Sequence, residues 1–305
     1  MNRSQPFGRY ELIDRISAGG MAEVFRARDN ERGGIVALKK ILPHVAEDEE
    51  FIQMFEDEAR ITSQLEHPHI ARTLDFGTIG SSYYIAFEYV RGKDLRAIFE
   101  RAAKSQDRIP VPFLLHVFAR IGEGLSYAHA RRDVNGNPVS IVHRDVSPQN
   151  IIVSYGGDVK LIDFGIAKAA GKLSRTGVGA IKGKFGYMSP EQVRGLEIDQ
   201  RTDVFSLGIT MWELFTRQRL FSADNELLVL EKIRNLQVPT PSSIDPTLPP
   251  GLDEIILKAL AKNPADRYQS AKELYRDLNI LAQSTGTSAT REEVASYMVQ
   301  AFPQS

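Results

Sequence analysis

Apolar and polar positions divide the chain into two differently patterned stretches. The first ninety or so residues read mainly as strands with one helix, and the remainder reads mainly as helices. Strand-like runs at Tyr10 to Ile16 and Glu23 to Arg28 flank a small-residue turn, Ser17-Ala18-Gly19-Gly20-Met21-Ala22. Such a turn lets backbone N–H groups approach an anion without Cβ obstruction. Val36-Ala37-Leu38-Lys39 is an apolar strand ending in lysine. From about Asp48 to Glu66, Phe51, Met54, Phe55, Ile61 and Leu65 recur at helical spacing. At about 100° per residue Glu58 falls in the middle of that stripe, whereas Glu49, Glu56 and Asp57 can take the wet side. A carboxylate on an inward face is costly unless paired. Lys39 is its obvious partner. Arg91-Gly92-Lys93 then breaks the pattern.

Val111 to Ala130 carries a long helical pattern, and Asp133 to Pro138 is turn chemistry that reads as a surface loop. Ile151 to Ile162 reads as a short hairpin turning at Gly156-Gly157. Thr202 to Arg217 is apolar on most sides, which suits a central buried helix with Trp212 in the core. Gly251 to Lys262 and Ser270 to Ala282 are amphipathic, and Gln283 to Ser288 is a polar linker. Thr290 to Phe302 reads as one more short helix. Thr290 and Glu293 fit a capping box, and Val294, Tyr297, Met298 and Ala301 form a narrow apolar stripe that suits docking on the body of the protein. No internal repeat is visible.

Composition narrows the function classes. The 305 residues can bury a substantial core, and a net charge of −1 gives no argument for nucleic-acid or membrane attraction. The absence of cysteine removes disulfides, thiolate zinc sites and a Cys nucleophile. No apolar run approaches the roughly 20 residues that span a bilayer. Residues 1–9 are polar and read as a leader without a signal-peptide core. The expectation is a cytoplasmic protein, or the cytoplasmic domain of a longer one.

The densest chemistry lies in His143-Arg144-Asp145, Asn150 and Asp163-Phe164-Gly165. An aspartate able to orient a hydroxyl stands five residues before an amide able to hold a metal, and a second aspartate follows thirteen residues later. Phosphoryl transfer from Mg-ATP needs one carboxylate at the attacking oxygen, with an amide and a carboxylate on the ions that neutralise the phosphates. Alone, each tripeptide is weak. Together with the small-residue turn, Lys39 and Glu58, the set resembles a eukaryotic-like serine/threonine protein kinase of the bacterial type. The likeness runs from about Tyr10 to Leu281. Ser189-Pro190-Glu191 resembles the end of an activation segment, Asp203 the buried aspartate beneath the catalytic loop, and Arg267 the partner of Glu191.

The resemblance implies an α+β, two-lobed fold. Residues 10–90 form a mainly antiparallel β lobe with one key helix, residues 91–282 a mainly helical lobe, and residues 283–305 a linker and C-terminal helix. It implies an ATP site of Ile16, Ser17, Gly19, Gly20, Val24, Ala37, Lys39, Phe87, Glu88 and Val90. Asp145 would be the catalytic base or orienter, with Lys39 positioned by Glu58. Asn150 and Asp163 would hold Mg²⁺, or Mn²⁺ in its place. Arg144 would receive an activation-segment phosphate on Thr176 or Ser174, Thr176 being favoured. Protein Ser/Thr hydroxyls are the implied substrates, with self-association for trans-autophosphorylation. A pseudokinase scaffold and a small-molecule kinase are the alternatives. Retention of Lys39, Asp145 and Asp163 argues against the first, and the 186–191 segment argues against the second.

Two departures stand out. Ser17 and Ala22 replace the usual glycines, and at Ser17 a demand for positive φ would loosen the loop. The usual lysine two residues after the catalytic aspartate is Ser147, and the usual threonine after the segment's glycine is Lys184. A cation lost at one place and gained at the other suggests that Lys184, beside Ser147, restores the charge at the transferring phosphoryl group.

Overall fold

The computed structural model describes residues 4–105, 107–133, 135–164 and 185–303. They divide between two compact units that meet in sequence at Val90 and Arg91. Each is described by itself.

The first unit is an antiparallel six-stranded sheet in the order β1-β2-β3-β4-β6-β5. Its strands are β1 (Gln5–Phe7), β2 (Tyr10–Ala18), β3 (Ala22–Asp29), β4 (Ile35–Ile41), β5 (Thr73–Ile79) and β6 (Ser82–Glu88), with helix α1 (Glu49–Thr62) between β4 and β5. Successive side chains of a strand point to opposite faces, so each strand divides its residues between two cores. Val36 and Leu38 of β4 join Tyr10, Leu12, Ala27 and Tyr84 on one face. Ile41 of the same strand joins Phe51, Phe55 and Ala59 of α1 on the other, with Ile85 of β6. Helix α1 starts where the Asp48 carboxylate accepts the Phe51 N–H at 3.1 Å, satisfying one of the orphan donors of the first turn.

The polar leader expected over residues 1–9 is partly wrong. Gln5–Phe7 is a strand paired with β2, and Phe7 is buried. Arg9 is 2.8 Å from Asp75, whose carboxylate also accepts hydrogen bonds from the Tyr10 and Tyr84 hydroxyls. Three residues are too few to display a period, so the strand was invisible to pattern reading.

The second unit contains a three-stranded sheet, β7 (Gly92–Asp94), β8 (Ile151–Ser154) and β9 (Val159–Leu161), in that order. The break read at Arg91-Gly92-Lys93 is therefore the short strand β7. The helices are α2 (Leu95–Ser105), α3 (Val111–His129), α4 (Pro190–Arg194), α5 (Gln200–Thr216), α6 (Glu226–Asn235), α7 (Pro241–Ile244), α8 (Leu252–Ala259), α9 (Ala271–Ser284) and α10 (Arg291–Ala301). Helix α5 is buried from Thr202 to Thr216, with α3, α8 and α9 packed against it, as its apolar circumference requires. Trp212 lies in this core and donates its indole N–H to the Pro239 carbonyl at 2.8 Å. The expected linker is shorter than its polar sequence suggests, because α9 continues to Ser284. Among the described residues no helix is long and apolar enough to cross a membrane.

Candidate active site

In the first unit the sheet register assembles a row across four strands. Ser17 pairs with Val24, Val24 with Lys39, and Lys39 with Ile85. Directly opposed residues share a face. Lys39 therefore projects on the α1 side with Ile85, while Leu38 projects on the other. The Lys39 Nζ lies 3.6 Å from Glu58 Oε1, the lysine 17% and the glutamate 2% exposed. Lys40 faces away, its Nζ 4.9 Å from the Phe7 ring centroid. Strand alternation thus separates two adjacent lysines that composition cannot distinguish.

The small-residue turn closes through the Gly19 N–H, which donates to the Ala22 carbonyl at 2.9 Å. Ser17 lies in paired β2 and is not among the residues with positive φ, so the strain expected from serine there does not arise. Ile16 sits at a register irregularity between Arg15 and Ser17 and is half exposed. Ala37 pairs with Phe87 and Val36 with Glu88, and the Glu88 N–H donates to the Arg72 carbonyl at 2.9 Å. Val90, where the chain first leaves this unit, is half-buried.

In the second unit the loop around Asp145 hangs from one buried carboxylate. Asp203, near the start of α5, accepts the His143 N–H at 2.7 Å, the Arg144 N–H at 2.8 Å and the His129 Nε2–H at 2.8 Å. Burial opposes its ionisation, but these donors hold its pKa below the usual carboxylate range. Arg144 adopts a left-handed φ of 66°, which a non-glycine residue keeps only when its surroundings impose it. Both of its peptide groups are held, since its carbonyl accepts from Gln192 Nε2 at 3.3 Å. His143 is fully buried, and burial pushes its pKa down. Its Nδ1 accepts the Asp145 N–H at 3.2 Å, so the proton lies on Nε2, which donates to the Ile162 carbonyl at 3.1 Å.

Asn150 completes this scaffold. Its Nδ2 donates to both the backbone carbonyl and Oδ2 of Asp145, each at 2.8 Å. An amide whose nitrogen is committed in this way offers its oxygen to a cation. Asp163 follows Ile162, whose N–H donates to the Asn150 carbonyl at 2.9 Å, and Asp163 itself has a left-handed φ of 56°. Ser147 is buried and precedes the tight turn Pro148–Asn150. One amide oxygen and one carboxylate suit a hard cation that takes its other ligands from phosphate and water, as Mg²⁺ does. Among the described residues no three His, Cys, Asp or Glu side chains converge as a metal cage.

Glu191 and Arg267 meet as the motifs implied, through two hydrogen bonds of 2.7 and 2.9 Å. Pattern reading left three positions without an assigned site role. His129 supports Asp203. Gln192 joins a capping box with Ser189 to the Arg144 carbonyl. Glu213, buried in α5, accepts from the Tyr187 hydroxyl at 2.7 Å and from Arg219 at 2.8 Å. The partners Asp203, Arg144 and Tyr187 lie 74, 48 and 26 residues away in sequence, too far for periodicity to reveal. Gly165, Ser174, Thr176 and Lys184 lie outside the described residues.

A sequence profile for the protein kinase domain matches residues 10–278. The chain belongs to the protein kinase family. Among curated kinases it is 41% identical over 271 residues to the tyrosine-protein kinase MasK of Myxococcus xanthus, covering 88% of this chain and 42% of that protein. It is 35% identical over 273 residues to the serine/threonine-protein kinase PrkC of Bacillus subtilis, covering 89% and 40%. With the serine/threonine-protein kinase PknA of Mycobacterium tuberculosis it shares 37% over 268 residues, covering 86% and 59%. Among solved structures, the kinase domain of M. tuberculosis PknI aligns with a TM-score of 0.70 at 29% identity, covering 92% of this chain and 100% of that one. The chain spans roughly two fifths of the length of MasK and PrkC. The kinase fold foreseen from the motifs, a β-rich unit and a helical one, is the fold observed.

Proposed function

We propose that this chain transfers the γ-phosphoryl group of Mg-ATP to serine and threonine hydroxyls of proteins. The observation that carries the reading is the Asp145–Asn150 pair on a loop held by Asp203, in a family whose chemistry needs those groups in that order. Asp145 orients the substrate hydroxyl and takes its proton as the oxygen–phosphorus bond forms. The bond from phosphorus to the ADP oxygen breaks in the same displacement. Asn150 through its amide oxygen and Asp163 through its carboxylate would hold Mg²⁺, or Mn²⁺, which supplies neutralisation of phosphate charge. Lys39, anchored by Glu58, contacts phosphate oxygens. Ile16, Ser17, Gly19, Gly20, Val24, Ala37, Phe87, Glu88 and Val90 form the nucleotide site. Catalysis of this kind is chiefly positioning and electrostatics.

The scaffold also favours control by phosphorylation. The Arg144 guanidinium is half-buried, burial lowers its pKa, and its Nε has no hydrogen-bond partner among the described residues. Such a group is suited to an incoming phosphate. Thr176, and secondarily Ser174, is the proposed autophosphorylation site, reached in trans between two copies. Lys184 and Ser147 are proposed to share the charge role of the usual catalytic-loop lysine. Lys184→Thr should then lower kcat on the order of 100-fold, and adding Ser147→Lys should restore much of it.

The deciding experiment is phosphorylation of a generic basic protein with Mg-ATP, followed by phosphoamino-acid analysis and mass spectrometry, with Asp145→Asn as control. Phosphoserine and phosphothreonine, absent with Asp145→Asn, are expected. Phosphotyrosine alone would support the second reading, which the similarity to MasK raises. No transfer at all would leave a pseudokinase scaffold.

A further inference from the structure

The hairpin of β8 and β9 joins Asn150 to Asp163, so whatever holds the hairpin influences both ends. Its far turn is covered by α10, which lies beyond the residues that the family profile matches. Gly157 in that turn has φ +83°, and a Cβ there would stand 2.1 Å from the Arg291 carbonyl oxygen. No side chain fits between turn and helix. Beside it, Arg291 Nε is 2.8 Å from Asp158 Oδ1, and its terminal nitrogen donates to Oδ2 at 3.1 Å.

Helix α10 and its flanking residues Ala289 and Phe302 are anchored on three other elements. Val294 and Met298 are fully buried, and the Tyr297 ring lies 4.5 Å from that of Phe113 on α3. The Ala289 carbonyl is 2.8 Å from His116 Nδ1, also on α3. Phe302 sits 5.8 Å from both Lys93 of β7 and Arg101 of α2. The helix therefore touches the hairpin turn, the outer strand of the small sheet and the two helices beside it.

We propose that α10 is a positioning clamp for the β8–β9 hairpin, and through it for Asn150 and Asp163. A small sheet with short strands is weakly stable by itself and needs packing from outside to keep one register. The Arg291–Asp158 pair is exposed, at 59% and 47%, so it aims the helix rather than holding it. The grip comes from burial of Val294, Met298 and Ala301. The functional unit then extends past residue 278 to about residue 302. The consequence for catalysis rests on the reading of Asn150 and Asp163 as metal ligands. The clamp itself does not.

The test uses the full chain with Met298→Asp, which places a charge in a fully buried site and releases α10. Arg291→Ala removes only the aiming contact. Hydrogen exchange is followed on peptides covering 151–161, 290–302 and, as reference, 200–216. With Met298→Asp, exchange should rise about tenfold or more in both the helix and the hairpin while the α5 peptide stays as in wild type. The apparent KM for Mg²⁺ at fixed ATP should rise about fivefold, with a smaller change in kcat. Arg291→Ala should move the hairpin and the metal KM in the same direction by less. Faster exchange in 290–302 with an unchanged hairpin overturns the proposal. Should Met298→Asp also loosen α5, Arg291→Ala decides, and an unchanged hairpin there overturns it equally. Should wild type transfer no phosphate, the kinase reading falls and the exchange result still judges the clamp.

Discussion

Two buried glutamates show how differently the two units use an ion pair. Glu191 of the helical unit meets Arg267 through two hydrogen bonds of 2.7 and 2.9 Å, with a third from the Thr202 hydroxyl at 2.9 Å. The Arg267 side chain is itself fully buried, and its guanidinium also donates to the carbonyls of Ala261, Arg201 and Lys262. Burial opposes ionisation of Glu191, yet the hydrogen bonds from Arg267 hold its pKa below the usual range. Glu58 of the β-rich unit is as deeply buried, and its Oε1 lies 3.6 Å from the Lys39 Nζ, with the lysine partly exposed. A planar fork with its donors engaged makes a rivet. A flexible ammonium at longer range is a positioned charge rather than a fixed fork. We propose that the first pair is architecture and that the second serves the chemistry.

Separating stability from activity tests that contrast. Lys39→Met should lower phosphoryl transfer by about 10³-fold, the scale of removing one preorganised charge at the reacting group. Its melting temperature should stay close to wild type. A fall of many degrees would make Lys39 a second rivet and erase the distinction.

Arg267→Met should do the reverse. It leaves Glu191 buried without its cation, which costs about 3–5 kcal/mol of stability in urea unfolding. Adding Glu191→Met should recover a large part of the loss. Recovery of activity by the double variant in step with its stability would confirm an architectural role.

Glu58→Gln should be milder than Lys39→Met, lowering kcat on the order of tenfold because the lysine keeps its charge but loses its anchor. Thermal unfolding should barely change. A loss equal to that of Lys39→Met would mean that the anchor matters as much as the cation.

The smallest effect is in pH. His143 is buried and neutral with a lowered pKa, so its unfolded form binds more protons below about pH 6.5, and stability should begin to decline there as pH falls. Glu191 has the depressed carboxylate pKa of a stabilising pair. Its contribution is present above about pH 4.3 and lost as pH falls through its lower folded value. Wild type should therefore lose melting temperature more steeply below pH 4 than the Arg267→Met, Glu191→Met double variant. Parallel curves would show that the pair contributes no linked protons.

Local periodicity accounts for what was legible. Glu58 was singled out because a helix repeats every 3.6 residues, and Lys39 rather than Lys40 faces it because strands alternate. The catalytic-loop residues and Asp203 were legible as motifs. Strands β1 and β7 were not, since three residues hold no period and neither borders a paired-glycine turn such as Gly156-Gly157, which marked the equally short β9. Nor were His129, Gln192 and Arg219 legible as supporting residues. Their partners, Asp203, the Arg144 carbonyl and Glu213, are met through packing or loop geometry, so no spacing rule applies to them.

The sequence by itself determined the inventory: which groups exist, in what order, and on which type of element each must sit. Those properties follow from backbone periods and side-chain chemistry, which act within a few residues. Tertiary structure alone decided the use of individual atoms. It committed Asn150 Nδ2 to Asp145, which leaves the amide oxygen as the group we propose for a cation. It put the His143 proton on Nε2, and it seated a capped helix of unassigned purpose on the turn between Asn150 and Asp163. Such choices depend on which distant segments pack together, and a buried polar atom must take whatever partner that packing delivers.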